Sequence, residues 1–273
     1  MIKTFSILIT FLTIAPPALA TSLLRDADIE HAFSELARPI LQVAGLRPDQ
    51  VKVMLVDDAA FNAFVIDRHH IFLNVGLVLK TQSAEMLQSV IAHEVAHIAN
   101  GHLSRRKQNM QATRNAARFG LALALATGQA NNNPGLGAGL AIGMSNSAQR
   151  VFNSHTQSEE IAADQTALMY FSKLGIDPKG ALQVLDYLSG QEYLASSRQD
   201  PYARTHPLSR DRLRSAKAQA QVQEPTSPNP NARYWHARAV AKTRAFSQDP
   251  DRTLAASGTA VSEDIAFMQR AIA

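Results

Sequence analysis

The chain contains no cysteine among its 273 residues. It therefore forms no disulfide framework, offers no thiolate ligand to a metal, and has no cysteine to carry a lipid anchor behind an export signal. Aromatic residues are sparse at 6%, and charged residues make up 18%, with a formal net charge of +4. This mild basic excess favours acidic partners or anionic lipid surfaces. Nucleic acid is not an expected partner, because no dense basic and aromatic face occurs.

Long hydrophobic runs are also missing. The apolar run at residues 5–15 is shorter than the roughly 20 residues that a membrane-spanning helix needs. It follows Lys3 and precedes Ala18-Leu19-Ala20, which is the small-x-small pattern of a signal-peptidase site. The alternative is an uncleaved membrane anchor. We expect a signal peptide at residues 1–20, cleaved after Ala20, and a periplasmic location in a double-membraned bacterium.

The next part of the chain alternates helical and strand patterns. Apolar residues at helical spacing predict a helix over residues 25–44. Residues 51–56 read as a strand, and residues 61–66 and 70–75 as the two strands of a hairpin. A long helix capped by Ser83 is then predicted over residues 83–107.

Residues 119–144 are dominated by Ala, Gly and Leu and are interrupted by three asparagines and a proline. Each apolar piece is too short to span a bilayer. We expect a helical hairpin lying over the protein, and the alternative is a loop that touches a membrane without crossing it.

The remaining chain is predicted to be helical and then proline-rich. Thr156 and Glu159 have the spacing of a capping box for a helix over residues 156–174. Three prolines indicate a linker at residues 224–231. The sequence thus predicts a main domain over residues 21–223 and a short helical tail over residues 232–273.

The sequence His93-Glu94-Val95-Ala96-His97 carries the chemistry. Histidines four residues apart on a helix project from the same side, so both imidazoles reach one ion. A glutamate directly after the first histidine lies beside that ion and is able to take a proton from an attacking water molecule. The apolar stripe of this helix leaves both histidines at the edge of the core, where we expect a cleft. The motif predicts a catalytic zinc site.

A third protein ligand is expected elsewhere in the chain. Glu160 is the best candidate by position, because Asp164 follows on the same helical face and would hold a histidine N–H. The alternative ligand is Glu159. Both glutamates also suit the solvated first turn of a helix.

Four stretches in order resemble the zinc endopeptidases related to the CAAX prenyl endopeptidase and the heat-shock membrane protease. Within that family they are most similar to the periplasmic branch typified by the β-barrel assembly-enhancing protease. The stretches are Phe61-Asn62-Ala63-Phe64, the His93–His97 motif, Glu160-Ile161-Ala162-Ala163-Asp164, and Thr205-His206-Pro207 with Arg212.

The resemblance implies a role for each of these residues. His93, His97 and Glu160 would bind one Zn²⁺ per chain, Glu94 would be the general base, and Asp164 would orient a ligand histidine.

By the same resemblance, His206 would approach the metal. It would either stabilise the oxyanion or act as a displaceable fourth ligand that keeps the enzyme shut, and Arg212 would support it. An extended substrate would add a strand beside Ala63, Phe64, Val65 and Ile66.

The expected fold is α+β: a mainly helical, zincin-type domain with a small β-sheet whose edge strand borders the active-site cleft. The expected function is hydrolysis of internal peptide bonds in unfolded or misassembled envelope proteins. The alternative is a zinc-containing chaperone or assembly factor with low or gated protease activity, and a peptidoglycan hydrolase ranks third. The outer-membrane assembly machinery is a candidate partner, although the residues after the linker are too few for a repeat array.

Overall fold

A computed structural model of the chain describes residues 22–130, 134–222 and 228–273. The predicted signal peptide at residues 1–20 and residues 224–227, the first half of the predicted linker at residues 224–231, lie outside these described residues. Within the described ranges, no helix combines the length and the apolar character that crossing a membrane requires.

The sheet has four strands: β1 (Leu23–Leu24), β2 (Lys52–Val56), β3 (Ala63–Val65) and β4 (His70–Asn74). Their order is β1-β2-β4-β3, with β2 and β4 parallel and the other pairs antiparallel. The predicted strand at residues 51–56 and the predicted hairpin are therefore confirmed. β3 is an edge strand, and it ends one residue before Ile66.

Helices make up most of the described chain. They are α1 (Ala27–Val43), α2 (Val75–Lys80), α3 (Ala84–Ala99), α4 (His102–Ala130), α5 (Pro134–Leu174), α6 (Lys179–Gln191), α7 (Pro201–Thr205), α8 (Arg210–Gln221), α9 (Pro230–Ser247), α10 (Pro250–Ser257) and α11 (Glu263–Ile272). The α+β, mainly helical fold class is confirmed.

Helix α3 lies at the centre of the core, packed against α1, α5, α6, α9 and β3. Ser83 caps it as predicted, since its hydroxyl accepts from the Met86 N–H at 3.1 Å. The expectation of one apolar stripe with the histidines at a solvent-facing edge is wrong. Neighbouring elements cover nearly every face of α3, and His93 and His97 are buried at 5% and 6% exposure.

The predicted helix over residues 83–107 is two helices. α3 ends at Ala99, and Gly101 adopts a φ of +69° between it and α4. Glycine occupies this left-handed conformation without the steric cost that a side chain brings. The break turns the chain so that α4 starts in a new direction.

The predicted helix over residues 156–174 is also corrected. Thr156 lies inside α5, which begins at Pro134 and runs to Leu174, so the capping box does not form. The predicted pairing of two helices in a hairpin is confirmed in the described residues, because α4 and α5 pack along each other on either side of residues 131–133. That the hairpin lies over the protein stays a prediction.

The C-terminal region contains three helices where one or two were predicted. Helix α9 packs against α1, α2 and α3, and its Ala232 and Ala239 belong to the main hydrophobic core. Arg238 extends the contact by donating to Asp28 Oδ1 at 2.8 Å. The division of the chain at residues 224–231 stays a prediction.

Candidate metal centre

Helix α3 places the two histidines of the motif one turn apart in its buried centre. Their Nε2 atoms lie 3.0 Å from each other, with the two rings nearly perpendicular. Two imidazole nitrogens that face each other at this distance both aim at the same point in space. This is the arrangement that the four-residue spacing predicts.

Helix α5 crosses α3 and brings Glu160 to the same point. Its Oε2 lies 3.3 Å from His93 Nε2, and its Oε1 lies 3.4 Å from His97 Nε2. Glu159 turns away, with Oε1 3.5 Å from Arg105. Of the two carboxylates that the sequence left open, Glu160 faces the histidine pair.

The donor set fits a small divalent ion. Ligand atoms of His93, His97, Glu160 and His206 all lie within 4.8 Å of one another. Donors bound at 2.0–2.1 Å to a tetrahedral zinc are about 3.3 Å apart, close to the 3.0–3.4 Å between the two histidines and Glu160. Nitrogen and carboxylate donors also suit zinc chemically.

Glu94 lies beside this cluster and is fully buried. Neither of its carboxylate oxygens has a hydrogen-bond partner among the described residues, and the imidazole Nε2 of His206 lies 3.5 Å from Oε1. Burial raises the pKa of Glu94. A buried carboxylate without partners is costly, so its position indicates a chemical role.

Asp164 follows Glu160 by one helical turn and holds His93 from behind. Its Oδ1 lies 3.0 Å from His93 Nδ1. Because an ionised carboxylate only accepts, Nδ1 carries a proton, and Nε2 is the nitrogen left to bind an ion. Burial raises the pKa of Asp164, but the Arg212 charge and the His93 hydrogen bond outweigh it and lower the pKa overall.

Arg212, on α8, ties this carboxylate to the segment that carries His206. Its Nε and Nη2 donate to Asp164 at 2.7 and 3.0 Å, and its Nη1 donates to the carbonyls of His206 and Pro207, both at 2.9 Å. The guanidinium is 2% exposed. A buried bidentate pair of this kind restricts both partners.

His206 directly follows the short helix α7 and lies across the cluster. Its Nδ1 is 3.0 Å from Glu160 Oε2 and 3.2 Å from His93 Nε2. Tyr202, one turn earlier, packs on the His206 ring at 4.5 Å between centroids. His206 therefore occupies the fourth side of the donor set and closes it.

Charges in the cluster are arranged largely as metal ligation requires. Burial and the nearby His93 charge lower the pKa of His97 well below its ordinary value, which keeps this ring neutral. Burial raises the pKa of Glu160, but His206 and His93 outweigh burial and bring the pKa well below its ordinary value, so the carboxylate is ionised. Burial lowers the pKa of His93, but the bonds to Asp164 and Glu160 dominate and raise it to about 10, so this ring loses a proton on binding an ion.

Sequence reasoning missed two members of the site. His102 is the first residue of α4, and its Nδ1 lies 2.8 Å from His97 Nδ1. Tyr202 is buried between His93 and His206. For His102 a signal existed, since it follows the motif by five residues across Asn100-Gly101, a typical helix stop. Nothing in the sequence distinguishes Tyr202 from the other tyrosines.

The edge strand β3 packs against α3, the helix that carries His93 and His97. Ala63 is buried in the main core, and Phe64 stacks on Phe72 on the other face of the sheet. Just before β3, the Phe61 carbonyl accepts from the Tyr202 N–H at 3.3 Å, which joins the strand to α7. The role of residues 63–66 in binding substrate stays a prediction.

Comparison with known proteins agrees with this geometry. Residues 23–220 match the family described as Peptidase family M48. A protein of Vibrio cholerae serotype O1, provisionally named β-barrel assembly-enhancing protease, is 32% identical over 200 residues, which are 73% of this chain and 41% of that protein.

Two further relatives extend the comparison. The β-barrel assembly-enhancing protease of Escherichia coli O157:H7 is 26% identical over 223 residues, covering 80% of this chain and 44% of that protein. The mitochondrial metalloendopeptidase OMA1 of Schizosaccharomyces pombe is 26% identical over 200 residues, covering 71% and 55%. The chain spans less than half the length of the β-barrel assembly-enhancing proteases that it matches.

Proposed function

This chain belongs to peptidase family M48, and we propose that it is a zinc-dependent metalloendopeptidase that cuts unfolded or misassembled proteins of the bacterial envelope. The observation that carries the proposal is the donor set of His93, His97 and Glu160 beside the buried carboxylate of Glu94. This carboxylate lies on the same helix as the two histidines and has no hydrogen-bond partner among the described residues. A purely structural ion site would have no use for that carboxylate.

His93, His97 and Glu160 would hold the zinc, and Asp164 would keep His93 in the required tautomer. When bound, zinc supplies a Lewis acid that polarises the scissile carbonyl and acidifies water. Glu94 takes the proton of the attacking water and returns it to the leaving amine. Its raised pKa suits both halves of this transfer.

His206 has two possible tasks in this scheme. With its Nδ1 3.0 Å from Glu160, it would complete the donor set and exclude substrate. After a movement of the loop behind α7, its ring N–H would donate to the oxyanion that forms on the substrate carbonyl. Arg212 would guide the movement, because it holds the carbonyls of both His206 and Pro207.

An extended substrate would pair with the free edge of β3, between residues 63 and 66. Main-chain hydrogen bonds would supply affinity there with little dependence on side chains. Such tolerance suits an enzyme that removes damaged proteins. The names of the relatives support the outer-membrane assembly machinery as a partner, and the predicted signal peptide supports a periplasmic location.

One observation favours a second candidate function. His206 and its neighbours bury the whole cluster, including Glu94, as expected of a chaperone or assembly factor whose protease activity is gated. The two functions differ in whether the action of Glu94 is needed.

The test is to measure zinc content and casein cleavage of the wild type, Glu94→Gln and His206→Ala. We expect Glu94→Gln to retain one zinc and to lose activity by about 10²–10⁴-fold. Glu85→Gln, at the other end of α3, is the matched control and should cleave normally. Wild-type cleavage by Glu94→Gln would refute the proposal. Loss of cleavage with full protection of envelope proteins in cells would favour the chaperone.

A further inference from the structure

The hydrogen bonds of the sheet show which backbone groups of the edge strand face outward. The Asn62 carbonyl accepts from the Asn74 N–H at 3.0 Å, so residue 62 faces β4. In an antiparallel pair, residues that face the partner strand alternate with residues that face away from it, and the register of β3 on β4 continues this alternation. The N–H and C=O groups of Phe61, Ala63 and Val65 therefore point to the outer edge of the sheet, where no described strand lies.

Phe61, the first of these three residues, is already paired on its outer side. Its N–H donates to Asp200 Oδ1 at 3.3 Å, and its carbonyl accepts from the Tyr202 N–H at 3.3 Å. The start of α7 thus binds both outward groups of Phe61, as a neighbouring strand would. An extended peptide cannot pair with Phe61 while these two bonds exist.

Ala63, the second residue, is buried but has no partner on that side. Its exposed fraction is 0%, and its outward N–H and C=O form no hydrogen bond with the described residues. Buried backbone groups without a partner are rare, because each costs about as much as a lost hydrogen bond. Val65, the third residue, is partly exposed. The outer edge is thus closed at Phe61 and unpaired from Ala63 onward.

Asp200 is held in place from its other side by α6. Tyr187 donates its hydroxyl proton to Asp200 Oδ2, and Gln191 Oε1 accepts from the Asp200 N–H at 3.0 Å. Burial, together with the hydrogen bond to Asp200, raises the pKa of Tyr187, so the hydroxyl keeps the proton that it donates. Lys80 Nζ lies 3.7 Å from Asp200 Oδ2 and balances its charge. The carboxylate is therefore fixed with Oδ1 toward the Phe61 N–H.

We propose that Asp200 is a positioning residue that sets the register of a bound substrate strand. By holding the Phe61 backbone, it closes the outer edge at that residue. An extended substrate then pairs first with Ala63 and next with Val65. Without Asp200 the substrate binds more weakly, because part of the binding free energy is used to order the strand. The inference rests on the proposed function, since it concerns how the peptide substrate of that function binds.

Tyr202 connects the closed end of the edge to the candidate metal centre. Its N–H binds the Phe61 carbonyl. Its ring lies 4.5 Å from the His206 ring and 6.5 Å from the His93 ring, measured between centroids. The point at which substrate pairing begins is thereby tied to the residues that would surround the ion.

Peptide binding without cleavage tests the positioning role. The zinc-loaded Glu94→Gln variant serves as the parent, because it should bind a fluorescent, extended casein peptide without cutting it. Asp200→Leu in this parent should weaken binding about fivefold, which is equivalent to one hydrogen bond. Asp200→Asn keeps an oxygen acceptor for the Phe61 N–H and should bind within about twofold of the parent. The matched control is Asp186→Leu, at an exposed aspartate of α6, and it should bind as the parent does.

Steady-state kinetics distinguish positioning from a purely structural role. With Glu94 intact, Asp200→Leu should raise KM for casein about fivefold and leave kcat within about twofold. The value of kcat should hold because Arg212 still binds the carbonyl of His206. A purely structural role would instead lower the active fraction, and hence the apparent kcat, at unchanged KM.

Tyr187→Phe is the second variant, in case Asp200→Leu does not fold. It removes only the hydroxyl that fixes the carboxylate of Asp200, and it should raise KM about twofold with kcat unchanged. Tyr193→Phe, at a 90% exposed position just beyond the same helix, is its control and should have the wild-type KM.

The register is tested on the edge strand itself. Proline is tolerated on an edge strand where the N–H faces outward, so Val65→Pro should fold. It should weaken peptide binding to the Glu94→Gln parent about fivefold. Leu23→Pro is the matched control at the opposite edge of the sheet. The Ser22 carbonyl accepts from the Asp57 N–H at 2.9 Å, so the N–H of Leu23 also faces away from its neighbouring strand.

The possible failures have different readouts. If the Glu94→Gln parent binds no peptide, the proposed function fails and this inference fails with it. If the parent binds peptide but Asp200→Leu or Val65→Pro binds it equally well, only the register assignment is overturned. Equal weakening by Asp200→Asn and Asp200→Leu would also overturn it, because the acceptor for the Phe61 N–H would then have no effect.

Discussion

We propose that His102 positions His97 in the candidate metal centre. If His97 presents Nε2 to the ion, its Nδ1 carries the proton and must donate it. The acceptor at 2.8 Å is His102 Nδ1. His102 then carries its own proton on Nε2, which is buried and has no partner in the described part of the chain. Burial lowers the pKa of His102 to about 4, which keeps the accepting lone pair free.

Because of this geometry, two substitutions of His102 should differ in their effect on zinc affinity. His102→Leu removes the acceptor and should weaken zinc binding by about 10–100-fold. His102→Asn places an amide oxygen where Nδ1 was and should recover most of that affinity. Chelator competition measures the affinity, and thermal unfolding of the metal-free variants is the control. Equal zinc affinity in both variants would contradict the positioning role.

At the scale of secondary-structure elements, two glycines of α6 differ in the space that surrounds them. Gly180, in the first turn of α6, lies so close to α3 that a Cβ would come within 2.3 Å of the Glu85 carbonyl carbon. Gly190, near the other end of α6, has nothing within 4 Å of a built Cβ. The contact at Gly180 sets how closely α6 approaches the helix that bears the motif.

Gly180→Ala should therefore destabilise the protein by about 2–3 kcal/mol through overpacking. Gly190→Ala should stabilise it by about 0.5 kcal/mol, because alanine has the higher helix propensity. Denaturant unfolding measures both values. A neutral Gly180→Ala variant would mean that α6 shifts at no cost.

His236 connects α9 to the rest of the molecule. Thr81 donates its hydroxyl proton to the Val78 carbonyl at 2.7 Å, so it must accept from His236 Nε2 at 2.9 Å. Burial lowers the pKa of His236 to about 4, and the charge of Glu85 on α3 opposes this only weakly. Between about pH 4 and pH 6.5, the folded protein therefore keeps the ring neutral, whereas the unfolded chain protonates it.

Protonation of His236 should make the folded protein less stable in acid. With a folded pKa below the unfolded one, stability is complete above pH 6.5 and is lost as the pH falls toward 4. Between about pH 7.5 and pH 5 the loss from this group is about 2 kcal/mol. His236→Gln keeps a donor for Thr81 and should reduce the pH dependence by that amount, whereas His69→Gln, at an exposed loop position, should not. An unchanged slope in His236→Gln would exclude this contribution.

The sequence by itself determined which candidate site residues share a helical face and where the local secondary-structure signals lie. Helical spacing puts His93 and His97 on one face and Asp164 one turn after Glu160, since these relations depend only on the helix repeat. The strand and hairpin patterns of residues 51–75 and the Ser83 cap are equally local, and the structure confirms them.

Only the tertiary structure decided which of these local pieces meet. The crossing of α5 over α3 selects Glu160 over Glu159, and the loop after α7 brings His206 against a cluster formed more than 40 residues earlier. Helix limits also depended on context: α5 passes through Thr156 because packing against α4 supports a longer helix than the capping signal predicts. His102 joins the site only because Gly101 turns the chain, and the burial of α3 on every side reflects neighbours that its own amphipathic pattern does not specify.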